Sequence, residues 1–199
     1  LEDMKQIIGY EKVILDANDY SVRFAVDAVR LDLGGIAKGF AADKAIEIMK
    51  AKGAAAGLVD LGGQIGCFGK TAAGSNWIIG VRNPDKEAEK QIIVKLALTD
   101  MAVSTSGNYE RFYKIAGRKF SHIFDPQTET SAELIASDTV ICKTGTQADA
   151  ISTAVNVLGT AKGLELAEKL PDTEAIIIPI NNKNEMLKTS GAAKYIQRW

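Results

Sequence analysis

The sequence has little net charge and no apolar run long enough for a membrane span. Its 24 Lys and Arg residues against 25 Asp and Glu give a formal net charge of −1. This balance argues against a nucleic-acid surface, because binding to a phosphate backbone needs clustered cations. The longest apolar run, residues 175–180, falls well short of the roughly 18 residues that predict a membrane span, and it predicts a buried strand instead.

Repeats, low-complexity segments and long linkers are also missing from the chain. Its 199 residues, of which 46% are hydrophobic, are enough to bury a sizeable core. We therefore expect one compact unit over residues 1–199. Cysteine is scarce as well, and the two that occur, Cys67 and Cys142, lie far apart. Since cysteine packs as a small hydrophobic residue, we expect two buried free thiols, with a single disulfide as the alternative.

Strand patterns outnumber helical patterns along the chain. Strands are predicted at residues 58–61, 64–68, 77–81, 92–98, 101–104 and 139–142, with hairpins at 109–123 and 175–189. Helices are predicted at residues 39–52, 148–158 and 160–170, with Gly159 separating the last two. Strand-rich stretches with a few grouped helices predict an α+β fold with a mixed, largely antiparallel sheet.

The segment at residues 32–39, DLGGIAKG, leads into the first predicted helix. Its glycines allow close approach of a ligand, and a helix start offers unpaired amides that suit a phosphate. Lys38 adds a positive charge. The segment is not a phosphate-binding loop of the usual pattern, because no Ser or Thr follows the lysine. A plain strand–turn–helix junction would use the same glycines.

Asp149 and Thr153 lie four residues apart on a predicted helix and so share one face. A carboxylate and a hydroxyl are hard oxygen ligands that suit Mg²⁺ and suit zinc poorly. The spacing of Thr146 and Asp149 also fits a capping box, in which Asp149 binds a backbone amide at the helix start. Both roles are compatible if a metal lies over the helix start.

His122 is the only histidine and precedes a turn sequence, residues 125–128. It is a candidate general base or phosphate partner, and a structural histidine is the alternative. Two further small-residue turns, at residues 62–63 and 104–107, either donate hydrogen bonds to a ligand or only reverse the chain.

Five segments, in this order, resemble the ApbE family, the FAD:protein FMN transferases. They are residues 32–41, 59–63, 104–109, 121–128 and 148–159. The resemblance implies a Mg²⁺-dependent enzyme that takes FAD as substrate, transfers FMN to a threonine hydroxyl of an acceptor flavoprotein subunit and releases AMP. The same site would serve FAD hydrolysis to FMN and AMP, and a flavin-binding domain without catalysis is a further alternative.

The resemblance also implies roles for individual residues. Asp149 and Thr153 would be side-chain ligands of Mg²⁺, and the backbone carbonyl of Gly35 would be a third ligand. The FAD site would be lined by Lys38, Gly62, Gly63, Thr105, Ser106 and His122. Either His122 or Asp149 would take the proton from the incoming threonine.

The sequence departs from the family pattern at two places. Glu129 stands where the family usually has glycine, which adds a negative charge near a polyanionic ligand. The family's N-terminal portion, which supplies part of the flavin pocket, is expected to be missing. Since many relatives are exported and lipid-anchored, the resemblance implies a place at the bacterial cell envelope through an N-terminal anchor, with the cytoplasm as the alternative.

Overall fold

The computed structural model describes residues 7–85, 91–107, 112–115, 118–121, 123–125, 128, 130–132, 135–182 and 185–197. Its two α-helices are α1 (Ala37–Ala51) and α2 (Gly145–Lys169) within this part of the chain. The first strands are β1 (Val13–Asp16), β2 (Ser21–Phe24), β3 (Gly57–Asp60), β4 (Gln64–Phe68), β5 (Trp77–Arg82), β6 (Ile92–Leu98) and β7 (Met101–Gly107). They are followed by β8 (Phe112–Ile115), β9 (Arg118–Ser121), β10 (Phe124–Asp125), β11 (Thr130–Ser131), β12 (Ile135–Cys142), β13 (Glu174–Pro179), β14 (Leu187–Lys188) and β15 (Ile196–Gln197).

A six-stranded sheet forms the centre of the fold, in the order β14-β13-β12-β7-β4-β3. A three-stranded sheet, β15-β6-β5, accompanies it, and three hairpins pair β1 with β2, β8 with β9, and β10 with β11. Every pairing among the described strands is antiparallel. The α+β prediction with a largely antiparallel sheet is therefore confirmed.

Side chains alternate between the two faces of the six-stranded sheet, and each face contributes residues to the core. One face carries Val103, Ile141 and Ile176, which pack with Leu96 and Leu98 of the three-stranded sheet. The other face carries a second set, which packs against helix α2; it comprises Ala102, Val140, Cys142, Ala175 and Ile177 from the strands and Ala148, Val155 and Ala167 from the helix. Helix α2 thus lies on one side of the sheet, and β5 and β6 lie on the other.

The break predicted at Gly159 is confirmed. Gly159 interrupts helix α2 with φ 78° and ψ −179°, a conformation that glycine adopts readily and other residues do not. Both cysteines are buried and free, as expected. Burial raises the pKa of each thiol.

Two strands extend three or four residues beyond their predicted bounds, and both extensions include polar residues. Strand β7 continues to Gly107, so residues 104–107 are not a turn. Strand β12 begins at Ile135 and includes Asp138, a residue type that strands usually avoid. Sheet pairing overrides the local preference in each case, because Ser106 and Asp138 lie directly opposite each other in the β7–β12 ladder.

None of the described helices is both long enough and apolar enough to cross a membrane.

Candidate functional site

The two helices meet at their N-terminal ends, and each caps the other. Helix α1 has Ile36 at its N-cap and no side-chain cap of its own. Instead, the amide of Gly39 in its first turn donates to Asp149 Oδ2 of helix α2 at 2.9 Å. In return, Asp43 of helix α1 accepts hydrogen bonds from the first backbone amides of helix α2, Gly145 N at 2.6 Å and Thr146 N at 2.9 Å. Each carboxylate therefore faces the positive end of the partner helix.

Asp149 does not cap its own helix, so the predicted capping box is wrong. Helix α2 is capped by Thr144, whose hydroxyl accepts from the amide of Gln147 at 3.2 Å. Asp149 lies in the second turn, too far along the helix to cap its own first amides. It binds a helix-start amide, but that amide belongs to helix α1.

The contact between the helices depends on glycine. A Cβ added at Gly39 would lie 2.1 Å from the carbonyl oxygen of Gly145 and 2.8 Å from the Cβ of Asp149. Such distances are far below van der Waals contact, and neither atom can move freely, because the first belongs to the backbone and the second is bonded directly to it. Glycine at position 39 therefore allows the Asp149 carboxylate to reach the amide. The glycine-rich segment thus has a structural role in helix packing, in addition to any role in letting a ligand approach.

Replacing Gly39 with alanine is expected to lower the free energy of unfolding by about 2–4 kcal/mol, because the new methyl group overlaps backbone atoms of helix α2. Chemical denaturation monitored by circular dichroism would measure the loss. Gly34→Ala is the matched control, since its Cβ would meet only the movable Asp32 carboxylate, at 2.9 Å. A loss at Gly39 no larger than that at Gly34 would contradict the close helix contact.

The three predicted metal ligands lie together at this contact. The hydroxyl of Thr153 is 3.5 Å from the carbonyl oxygen of Gly35 and donates to the carbonyl of Asp149 at 3.1 Å. Lys38 Nζ is 3.9 Å from Asp149 Oδ1, with 46% of the lysine side chain exposed against 4% for the aspartate. The arrangement is a buried carboxylate and two neutral oxygens beside a solvent-accessible cation.

The donor set fits Mg²⁺. Carboxylate, hydroxyl and carbonyl are all hard oxygen donors, and the Gly39 bond uses only one of the two Asp149 oxygens. Nowhere in the described part of the chain do three or more His, Cys, Asp or Glu side chains gather as a metal cluster. A single carboxylate with neutral oxygens suits Mg²⁺, which typically keeps waters and takes further ligands from substrate phosphates.

The glycine pair at residues 62–63 forms the turn between β3 and β4, with φ 67° and 88°. The amide of Gly63 donates to Asp60 Oδ1 at 3.3 Å, and its carbonyl accepts from the amide of Thr105 at 3.1 Å. The turn is thereby fixed against the end of strand β7. The structure thus brings Gly62, Gly63 and Thr105 together.

Thr105 and Ser106 point to opposite faces of the sheet because they are consecutive in strand β7. The hydroxyl of Thr105 bonds that of Thr139 at 3.0 Å, on the face away from helix α2. The hydroxyl of Ser106 lies 2.6 Å from that of Ser152 on helix α2. Ser152 directly precedes Thr153, so of the two predicted residues only Ser106 has its side chain on the side of the metal ligands.

Behind Ser106 lies a buried polar group that the sequence did not predict. Ser152 also donates to Asp138 Oδ1 at 2.8 Å, and Asn156 Nδ2 donates to Asp138 Oδ2 at 2.9 Å. Burial raises the pKa of Asp138 to about 7, against the lowering effect of these two hydrogen bonds. The signal in the sequence is a lone carboxylate in the segment 135–142, whose other residues are apolar or carry only a hydroxyl group.

His122 and Glu129 lie outside the described residues, so the predictions made for them stay predictions. Next to them, the hydroxyl of Thr128 donates to Asp125 Oδ2 at 2.9 Å. This bond between residues three apart is typical of the turn that the sequence predicts there.

The fold and the site define a class of protein: an α+β domain in which two mutually capped helices hold an oxygen-rich site beside a lysine. The family model of the ApbE family matches residues 1–177. A FAD:protein FMN transferase of Haemophilus influenzae is 32% identical over 196 residues, covering 97% of this chain and 56% of that protein. A protein of the same name from Treponema pallidum is 37% identical over 168 residues, covering 80% of this chain and 46% of that protein.

Solved structures agree with these sequence matches. The ApbE protein of Thermotoga maritima superposes with a TM-score of 0.88 at 30% identity, covering 99% of this chain and 63% of that one. The flavinyl transferase ApbE of Pseudomonas stutzeri, in its apo form, superposes with a TM-score of 0.81 at 32% identity. The match covers 100% of this chain and 60% of that one. The chain belongs to the ApbE family. It spans about half of the length of the curated relatives described above.

Proposed function

We propose that this chain carries the metal and diphosphate site of a flavin transferase, which moves FMN from FAD to a threonine hydroxyl of an acceptor flavoprotein and releases AMP. The relatives' names support the flavin chemistry. The observation that carries the proposal is that the Thr153 hydroxyl lies 3.5 Å from the Gly35 carbonyl oxygen, one helical turn beyond the buried Asp149, whose carboxylate lies 3.9 Å from Lys38 Nζ. A cation site beside a lysine suits the negative charge of a dinucleotide diphosphate.

Asp149, Thr153 and the Gly35 carbonyl would hold Mg²⁺, which when bound would offset the negative charge that develops on the leaving phosphate. Lys38 supplies a second positive charge, and its exposure leaves the ammonium free to meet a phosphate. The Gly39 amide fixes the orientation of the Asp149 carboxylate. The chain's own residues therefore pre-organise the site before the substrate arrives.

The transfer exchanges the phosphoanhydride bond of FAD for a phosphate ester bond to the acceptor. The threonine oxygen of the acceptor forms a bond to the phosphorus of the FMN half, and the bond from that phosphorus to the AMP oxygen breaks. We propose that His122 takes the threonine proton, because the Asp149 carboxylate would be occupied by the cation and already accepts from the Gly39 amide. Asp149 would then act as a ligand only.

Lys38, Gly62, Gly63, Thr105 and Ser106 are proposed to line the FAD site. In support, the glycine turn and Thr105 are joined by a backbone hydrogen bond, and Ser106 is joined to helix α2 through Ser152. The backbone amide of Thr105 already donates to Gly63 and its hydroxyl bonds Thr139, so a contact of Thr105 with FAD would use its carbonyl. Placement of the protein at the cell envelope stays a prediction from the family resemblance.

Mass spectrometry tests the proposal directly. The chain is incubated with FAD, Mg²⁺ and a flavin-acceptor domain, and the mass of the acceptor is measured before and after the incubation. We expect covalent FMN on a threonine, an equal amount of AMP, and loss of both when EDTA removes the metal. Release of AMP without covalent FMN on the acceptor would instead indicate FAD hydrolysis. FAD binding that does not depend on Mg²⁺ and releases no AMP would indicate a non-catalytic flavin-binding domain.

A further inference from the structure

Four polar side chains form a buried hydrogen-bonded row between helix α2 and the sheet: Ser106, Ser152, Asp138 and Asn156. Asp138, Ser152 and Asn156 are each 0% exposed, whereas Ser106 is half-buried. Within the described chain, the row therefore reaches the surface at Ser106. Burying a carboxylate this deeply is costly, and an apolar residue would fill the same position in the core.

The number of hydrogens in the row restricts its arrangement. Ser152 lies 2.8 Å from Asp138 Oδ1 and 2.6 Å from Ser106 Oγ, but its hydroxyl has one hydrogen and can donate to only one of them. An ionised Asp138 can only accept, so Ser152 must donate to it. Ser106 must then donate inward to Ser152, and only its lone pairs face outward.

A protonated Asp138 reverses this arrangement. Its Oδ1–H donates to Ser152, Ser152 donates to Ser106, and the Ser106 hydrogen is free to point outward. Phosphate oxygens accept hydrogen bonds and repel lone pairs. The outward surface of Ser106 is therefore suited to a phosphate in one protonation state of Asp138 and unsuited in the other.

We propose that Asp138 is a positioning residue whose protonation, passed through Ser152, decides whether the Ser106 hydroxyl offers a hydrogen or a lone pair to a phosphate of the dinucleotide. The inference rests on the proposed function, since it needs FAD beside Ser106. Binding would take up one proton from solvent, which comes to rest on Asp138 Oδ1.

The surroundings of Asp138 leave it free to change protonation at ordinary pH. Burial raises its pKa to about 7. The groups that face it are neutral: Ser152 and Asn156 from helix α2, Ser106 opposite on β7 and Ile177 opposite on β13. The acidic residues of the adjoining elements have other partners. On helix α2, Asp149 accepts from Gly39, Glu165 from Lys169 and Glu168 from Ser190, and on β13 Glu174 accepts from Thr189.

The test is FAD affinity against pH, measured by calorimetry at fixed Mg²⁺. For the wild type we expect affinity to fall about 10-fold from pH 6 to pH 8, and proton uptake near one per FAD at pH 8 in buffers of different ionisation enthalpy. In Asp138→Asn the side-chain amide always donates to Ser152, so we expect FAD affinity that does not change between pH 6 and pH 8. Ser152→Ala removes the hydroxyl that links Ser106 to Asp138, so FAD affinity should also lose its pH dependence in this variant.

His122 is present in all of these proteins, so its own titration cancels when their profiles are compared. Glu174→Gln is the matched control, because it makes the same carboxylate-to-amide change outside the row, and it should keep the wild-type profile. If FAD binds but Asp138→Asn or Ser152→Ala keeps the wild-type pH dependence and proton uptake, this inference is overturned while the proposed function stands. If the wild type binds no FAD, the proposed function fails and this inference fails with it.

Discussion

Replacing Asp149 with asparagine is expected to lower magnesium-dependent turnover of FAD by at least about 100-fold, because the site loses its only charged metal ligand among the residues proposed to hold the ion. The amide oxygen of asparagine can still accept the 2.9 Å hydrogen bond from Gly39, so the contact between the helices should survive. AMP release at increasing Mg²⁺ concentration, followed by chromatography, measures the effect.

Asp172→Asn is the matched control for this substitution. Asp172 pairs with Lys143 at the surface, with 57% of its side chain exposed, and has no contact with the proposed site. Its turnover should equal that of the wild type. Unchanged turnover in Asp149→Asn, at Mg²⁺ concentrations that do not saturate the wild type, would mean that the metal site is wrongly assigned.

Replacing Asp138 with asparagine is expected to change how stability depends on pH. The pKa of Asp138 is raised from 3.8 to about 7 in the folded protein. Between these values the folded state binds more protons than the unfolded state, so the free energy of unfolding falls as pH rises through this window. For a fully buried group the total fall is on the order of 4 kcal/mol, and asparagine, which does not titrate, abolishes it.

The stability of Asp138→Asn relative to the wild type should therefore increase between about pH 4 and about pH 7 and stay constant above that range. Urea denaturation of both proteins at several pH values gives this difference, in which the titration of the other groups cancels. The stability of Glu174→Gln relative to the wild type should show no comparable increase over this pH range. A difference that stays constant across the window would show that Asp138 is not held in its neutral form by burial.

Much of the fold could be predicted because its signals are local. Gly159 breaks helix α2 as expected, since a residue at φ 78° disfavours any side chain. The strand at residues 92–98 was predicted with its observed bounds, because its apolar residues continue without a turn signal. The hairpin that joins β13 and β14 is equally local.

The relations between distant segments could not be predicted in the same way. Nothing in the sequence indicates that the carboxylate of Asp149 caps helix α1 or that Asp43 caps helix α2, because these bonds join residues more than 100 positions apart. The strand β12 was predicted to begin only after Asp138, because a carboxylate is unfavourable in a buried strand. Its partners Ser152 and Asn156, on another element, stabilise it there.

The most direct test of the account is a crystal structure with FAD and Mn²⁺ in place of Mg²⁺, in which anomalous scattering identifies the metal. We expect the anomalous peak between the Asp149 carboxylate, the Thr153 hydroxyl and the Gly35 carbonyl, with the diphosphate completing its ligands and Lys38 beside it. Bound FAD with the metal at a different place, or with no metal at these three oxygens, would contradict the account.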